Sequence, residues 1–199
     1  MKRIFVIAAA LFVAVQSFAR EQPGTFTIKP TVGINISAST SDHANAKLGF
    51  VGGIDFGYKL NKLITFTAGA MYSCEGWNNP DAPNESVNLN YINVPVLINF
   101  NVVKGLVLKA GLQPGFSIGG KMVAEGQTVD FRELKSLVDL SVVNLSVPIG
   151  VSYEFKNFTV EARYNAGLSP LAKLSFLAES SVARGSVFQI LLGYKIPLR

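Results

Sequence analysis

The chain has 199 residues, of which 49% are apolar and only 16% charged, with 18 glycines, and its mean hydropathy is +0.33. A soluble domain carries about a quarter charged residues, so this composition argues against an ordinary soluble enzyme. The 18 Lys and Arg against 13 Asp and Glu are scattered, which gives no nucleic-acid patch, and the longest uncharged apolar run, Ile4–Val15, is too short for a membrane helix of about 20 residues.

That run reads instead as part of a secretory signal. Lys2 and Arg3 precede it, and Ser17-Phe18-Ala19 supplies the small residues of a cleavage site. The expected organisation is a signal peptide over 1–19, cut after Ala19, and one domain over 20–199. No cysteine lies near the junction, so a lipoprotein is not expected. Without Lys2 and Arg3 the mature chain holds 16 basic and 13 acidic residues, a net charge of +3.

From Phe26 onward the chain alternates at period two, the repeat of a strand with unlike media on its two faces. The first strand, Phe26–Ser37, sets Phe26, Ile28, Val32, Ile34 and Ile36 against Thr27, Lys29, Thr31, Asn35 and Ser37. Leu48–Leu60 sets Leu48, Phe50, Ile54, Phe56, Tyr58 and Leu60 against Gly49, Val51, Gly53, Asp55, Gly57 and Lys59. Ile64–Ser73 places Ile64, Phe66, Ala68, Ala70 and Tyr72 on its apolar face. Cys74, the single cysteine, follows it; one cysteine makes no intrachain disulfide and no cysteine-based metal site. Tyr91–Phe100 alternates Ile92, Val94, Val96, Ile98 and Phe100 with Asn93, Pro95, Leu97 and Asn99. The clearest case is Gly105–Ile118, with Leu106, Leu108, Ala110, Leu112, Phe116 and Ile118 opposite Lys109, Gly111, Gln113 and Gly115. Val143–Phe155, Phe158–Leu168 and Ser186–Leu198 complete eight strands of the same kind.

Most of these strands run longer than the usual 5–6 residues and match the roughly 9–11 that a tilted membrane strand needs. Their connections alternate. Asn61-Lys62, Asn101–Lys104 and Lys156-Asn157 are short, whereas Thr40–Lys47, Gly76–Asn90, Gly119–Val142 and Ser169–Gly185 are long. Outer-membrane barrels have an even strand number, short periplasmic turns and long outer loops. The sequence therefore predicts an all-β, eight-stranded, antiparallel, up-and-down transmembrane β-barrel in a bacterial outer membrane, with its N-terminus periplasmic. Aromatic residues gather near both strand ends, Phe56, Tyr58, Phe100, Tyr153, Phe155, Phe158 and Tyr194 at one and Phe50, Tyr72, Phe116, Tyr164 and Phe188 at the other, as interfacial girdles do. Pro95, Pro114, Pro148 and Pro197 interrupt the pattern and are expected at bulges or strand ends. Gly49, Gly52, Gly53 and Gly57 are expected to relieve crowding inside a small barrel. Phe131–Leu140 reads either as a short helix or as an extension of the strands above the membrane. The alternative fold, a soluble lipocalin-like barrel, requires the apolar faces inside.

The inward faces carry Lys29, Asp55, Lys59, Lys109, Glu154, Glu161, Arg163 and Lys195. Eight strands leave an interior just wide enough for side chains to fill, and an unpaired buried charge is costly. The expectation is a structural lumen network of Lys29, Asp55, Lys109, Glu154, Glu161 and Arg163, with Asp55, Glu154 and Glu161 as candidate partners for Lys109; a narrow or gated channel is the alternative. Trp77, in the predicted Gly76–Asn90 loop, is a candidate contact residue, since loops on rigid scaffolds carry binding function. The one histidine, His43, lies near Ser39, Ser41 and Asp42, but closeness in sequence does not build a nucleophile–base pair. No phosphate loop, histidine metal spacing or nucleophile elbow is present, so no enzyme activity, cofactor or metal is expected.

The stretch Tyr91-Ile92-Asn93-Val94-Pro95-Val96-Leu97, then Leu106–Gly115 with Lys109-Ala110-Gly111, Val147–Phe155 and Phe188–Leu198 resemble the PorT-like outer-membrane β-barrel family of Bacteroidetes. The resemblance covers the mature chain. It implies a small barrel of the cell envelope and no catalytic motif; the family namesake's link to secretion makes an accessory role in secretion or envelope assembly a further alternative. The expected partners are the lipid bilayer and outer-membrane lipids, the barrel assembly machinery, and a protein or other ligand at the extracellular loops.

Overall fold

A computed structural model describes residues 22–39, 45–78, 86–124, 127–130, 139–140, 143–168, 172–173 and 185–198. The elements are β1 (Phe26–Ser39), β2 (Asn45–Lys59), β3 (Ile64–Asn78), β4 (Ser86–Asn93), β5 (Val96–Val103), β6 (Leu106–Ala124), β7 (Gln127–Asp130), β8 (Asp139–Leu140), β9 (Val143–Phe155), β10 (Phe158–Gly167), β11 (Ala172–Lys173), β12 (Gly185–Tyr194) and β13 (Ile196–Leu198). Two spanning strands come in two parts, β4 with β5 and β12 with β13. Counted so, eight antiparallel strands form the wall, and β1 closes it by pairing with β2 on one side and β12 on the other. Closure removes the free sheet edges that an open sheet would present.

The prolines fall where the ladder can spare a donor. Pro95 occupies the break between β4 and β5, and across it the Val94 N–H donates to the Pro114 carbonyl at 2.8 Å. Pro148 lies in the β6–β9 ladder between the pairs Ala110–Ile149 and Gln113–Ser146. Pro30 lies between the stretches of β1 that pair with β13 and with β12, and Pro197 sits within the three-residue β13. At the short-turn end, the Asn61 side chain accepts the N–H of both Leu63 and Ile64 at 2.8 Å. The second short turn is shifted from its predicted place: β5 runs to Val103, so Lys104-Gly105 makes the bend. Gly105 adopts φ +84° there, where a Cβ would be strained and would also lie 2.9 Å from the Glu154 carbonyl.

Outward positions are apolar and exposed: Val32, Ile34 and Ile36 on β1, Phe50, Ile54 and Phe56 on β2, Val96, Ile98 and Phe100 on β5, and Leu108, Leu112 and Phe116 on β6. Both predicted aromatic groups are exposed on this outer face; Phe26 packs on Tyr58 and Phe158 on Tyr194, with centroids 4.7 and 5.0 Å apart. Inward positions are mostly polar and buried, including Thr31, Asn35, Asp55, Glu161, Arg163, Asn165 and Gln189. That arrangement is the reverse of a lipocalin-like barrel.

Beyond Ile92 on β4 and Ile118 on β6 the outward side of the wall turns polar. β3 continues to Asn78 and β4 begins at Ser86, so most of the predicted Gly76–Asn90 loop is paired sheet. Here the inward residues are Val87, Leu89 and Tyr91, which form a buried apolar cluster, while Asn88, Asn90 and Lys121 take the outward side opposite Gly76, Cys74 and Asn88. The change is executed on β6 by a bulge, where Tyr91 pairs with Ser117 but Asn90 pairs with Gly119. One extra residue flips the alternation, turning Lys121 outward, and Gly119 accommodates it at φ +145°. β7 folds back on this end of β6, with Lys121 opposite Asp130. At about 3.3 Å per residue, the five residues Cys74–Asn78 carry the sheet on the order of 16 Å past the apolar band. The predicted Gly119–Val142 loop thus starts as strand extension; of Phe131–Leu140 only Asp139–Leu140 are described, paired with β11.

Candidate lumen site

The lumen is organised around Glu161, whose relative exposure is 1%. Its Oε1 accepts Arg163 Nε at 2.7 Å and Nη2 lies 2.6 Å away. Its Oε2 takes Lys109 Nζ and, at 3.3 Å, Lys29 Nζ. Lys29 also pairs with Asp55 at 3.0 Å. The far side of Arg163 rests on Met71, with Nη1 3.6 Å from Sδ. Met71 belongs to an apolar layer with Val51 and Leu191. Five of the sequence-predicted residues therefore meet in one cluster, and of the three carboxylates open to Lys109 the structure selects Glu161. Glu154 stands apart, paired at 2.7 Å with Lys195 in a half-buried position. Lys59 is buried at the short-turn end.

Register explains how such bulky groups fit inside eight strands. Several face a glycine on the neighbouring strand: Asp55 opposite Gly69, Asn35 opposite Gly49, and Asn93 opposite Gly115. A Cβ built at those glycines would fall 2.2–2.3 Å from the facing side-chain oxygen. Gly150 of β9 lies in register between Lys109 and Arg163, which leaves room over β9 for Lys109 to reach β10. Gly52 differs from the expectation. It shares the outward parity of Ile54, and its added Cβ would meet first the flexible Phe50 ring.

A second polar layer lies toward the long-loop end. Asn35 Nδ2 donates to Ser73 Oγ and Ser73 Oγ to Glu75 Oε1, both at 2.8 Å, and Asn93 Nδ2 reaches the same oxygen at 3.3 Å. Ser37 Oγ ties in the backbone of Gly76, accepting its N–H at 2.9 Å and donating to its carbonyl at 2.8 Å. Glu75, Val87, Leu89 and Tyr91 are absent from the sequence-derived site: Val87 and Leu89 fall in the predicted Gly76–Asn90 loop, Glu75 lies just before it, and Tyr91 opens the next predicted strand. The signal that marks them is a switch of apolar parity, from 87, 89 and 91 to 92, 94, 96, 98 and 100.

Trp77 is not a loop residue: its backbone lies in β3, opposite Val87 of β4 and Ala46 of β2. His43, Ser41 and Asp42 lie outside the described residues, and Ser39 closes β1. Among the described residues no three His, Cys, Asp or Glu side chains are grouped to hold a metal.

A family model, the outer membrane protein beta-barrel domain, matches residues 16–173. The chain belongs to that family. The outer-membrane barrel is also similar in fold to solved structures of low sequence identity. Neisserial surface protein A is 18% identical, with 86% of this chain and 97% of that one covered at a TM-score of 0.55. The attachment invasion locus protein Ail of Yersinia pestis, crystallised in complex with the heparin analogue sucrose octasulfate, is 16% identical, with 88% and 100% covered at a TM-score of 0.53. No curated protein matches the chain in sequence. Family membership places the apolar outer face in the lipid of a bacterial outer membrane, and the polar lumen is its protein interior.

Proposed function

We propose that this outer-membrane barrel is a non-enzymatic binding protein whose lumen is a structural plug and whose working surface is the sheet extension at the long-loop end. On this reading residues 1–19 are a signal peptide removed after Ala19, the barrel assembly machinery inserts the mature chain, and the N-terminus and short turns face the periplasm. The polarity inversion on β4, with Lys121 turned outward on β6, carries the proposal. A wall that only needed to cross the membrane would end near Tyr72 and Phe116. This one continues with a polar outer face and an apolar filling, the arrangement of a sheet standing in water. Such a platform raises the ends of the described strands above the bilayer, and loops on a rigid scaffold carry binding function. The plug is supported by the Glu161 cluster, since paired and packed side chains fill a lumen of this size.

Two measurements test the reading. In planar bilayers the purified protein is expected to give no conductance steps; regular single-channel steps would favour the gated-channel alternative. In a Cys74→Ser background, cysteines at Asn88 and Lys121 are expected to react with a membrane-impermeant maleimide on intact cells and to form specific cross-links there. Protection of both sites in intact cells, with reaction only after lysis, would place the extension on the other side of the membrane.

A further inference from the structure

We propose that the lumen holds one small monovalent anion of the halide class beside Lys109. A cavity of about 30 Å³ lies between the Glu161 cluster and the Glu154–Lys195 pair, bordered by Lys29, Lys109 and Lys195, by Asp55 and Glu154, and by hydroxyl and amide groups that include Thr65, Thr67 and Asn101. A space of that size admits one or two water-sized guests, and so a monatomic anion but no sulfate or phosphate. The charges on its wall do not cancel. Asp55 is taken by Lys29 and Glu154 by Lys195. Lys109 has only Glu161, and that carboxylate also serves Arg163 and Lys29. In the cluster three cations, Lys29, Lys109 and Arg163, therefore meet two carboxylates, Asp55 and Glu161, at side-chain exposures of 1–8%.

An excess buried charge is costly without a counter-charge. Lys109 lines the cavity, and its carboxylate is the most divided. The Thr65 and Thr67 hydroxyls, whose oxygens accept from Asn101 and Asn99, keep their O–H groups as neutral donors, while the two wall carboxylates disfavour an anion of higher charge or larger radius. A bound halide completes the ammonium's hydrogen bonds and balances the cluster.

The test uses the full barrel in detergent. Crystals grown in bromide are expected to show an anomalous peak within contact distance of Lys109 Nζ. The unfolding temperature is expected to rise with chloride relative to gluconate at equal ionic strength, and Lys109→Met is expected to abolish both the peak and the chloride dependence. A wild-type map without the peak, an unfolding temperature indifferent to the anion, or a peak that persists in Lys109→Met overturns the proposal. The wild-type measurements decide it even where the variant does not fold.

Discussion

Replacing Glu161 with leucine is expected to destabilise the barrel by about 3–5 kcal/mol, the usual effect of removing one partner of a buried ion pair and stranding the other. Three cations would then share Asp55 as their one carboxylate, at side-chain exposures of 1–8%. Glu154→Gln is the matched control. Its pair with Lys195 is half-buried, so hydration replaces the lost carboxylate and the expected cost is about 1 kcal/mol or less. Urea unfolding in lipid vesicles, read by tyrosine and tryptophan emission, gives both numbers. The ordering matters more than either value: equal losses would mean that the Glu161 cluster is not the structural centre of the lumen. The Glu161 variant should also be the one that conducts in planar bilayers, because it loosens the plug.

Gly111→Ala is expected to abolish the heat-modifiable folded band on a detergent gel. A Cβ at Gly111 would lie 2.0 Å from the Val96 carbonyl oxygen and 2.9 Å from Leu97 Cα, so β5 and β6 must separate. That junction is already weakened by the Val94-Pro95 interruption, where few ladder bonds remain to absorb a shift. Gly52→Ala is the contrasting substitution in the same glycine-rich wall. Its Cβ would meet the Phe50 ring at 3.2 Å, and an outward ring in lipid swings aside, so wild-type folding is expected. Failure of both variants, or tolerance of both, would contradict the assignment of Gly111 to close strand approach and Gly52 to the outer face.

The membrane part of this fold is legible in the sequence because lipid and lumen impose opposite demands on successive residues. Leu108, Ala110 and Leu112 against Lys109, Gly111 and Gln113 is a pattern that water on both sides would not produce. The same clarity hides the extension. Beyond the apolar band the residue types change places, and Val87, Leu89 and Tyr91 point inward while Ile92 and Val94 point out. A reader who expects one parity per strand sees disorder there and assigns a loop. The bulge at Ile118-Gly119 leaves no trace in composition, since a single inserted residue shifts the face without changing the residues used.

Within the lumen, charge inventory was legible and pairing was not. Lys109 reaches Glu161 across β9, past Gly150, and strand stagger around the closed barrel decides that contact. Asp55, Glu154 and Glu161 are equivalent partners until the stagger is known. The glycine opposite each bulky polar group is likewise a property of register, visible only when neighbouring strands are aligned.

On the proposed reading, one wall crosses lipid and then stands in water. Spin labels placed singly along β4 and β5, at positions 88, 90, 92, 96 and 98 in a Cys74→Ser background in lipid vesicles, test it most directly. Oxygen, which concentrates in the bilayer, is expected to relax labels at 92, 96 and 98, and a water-soluble nickel chelate those at 88 and 90, with the crossover between Asn90 and Ile92. Oxygen-dominated relaxation through all five positions, or nickel-dominated relaxation at 96 and 98, would contradict it.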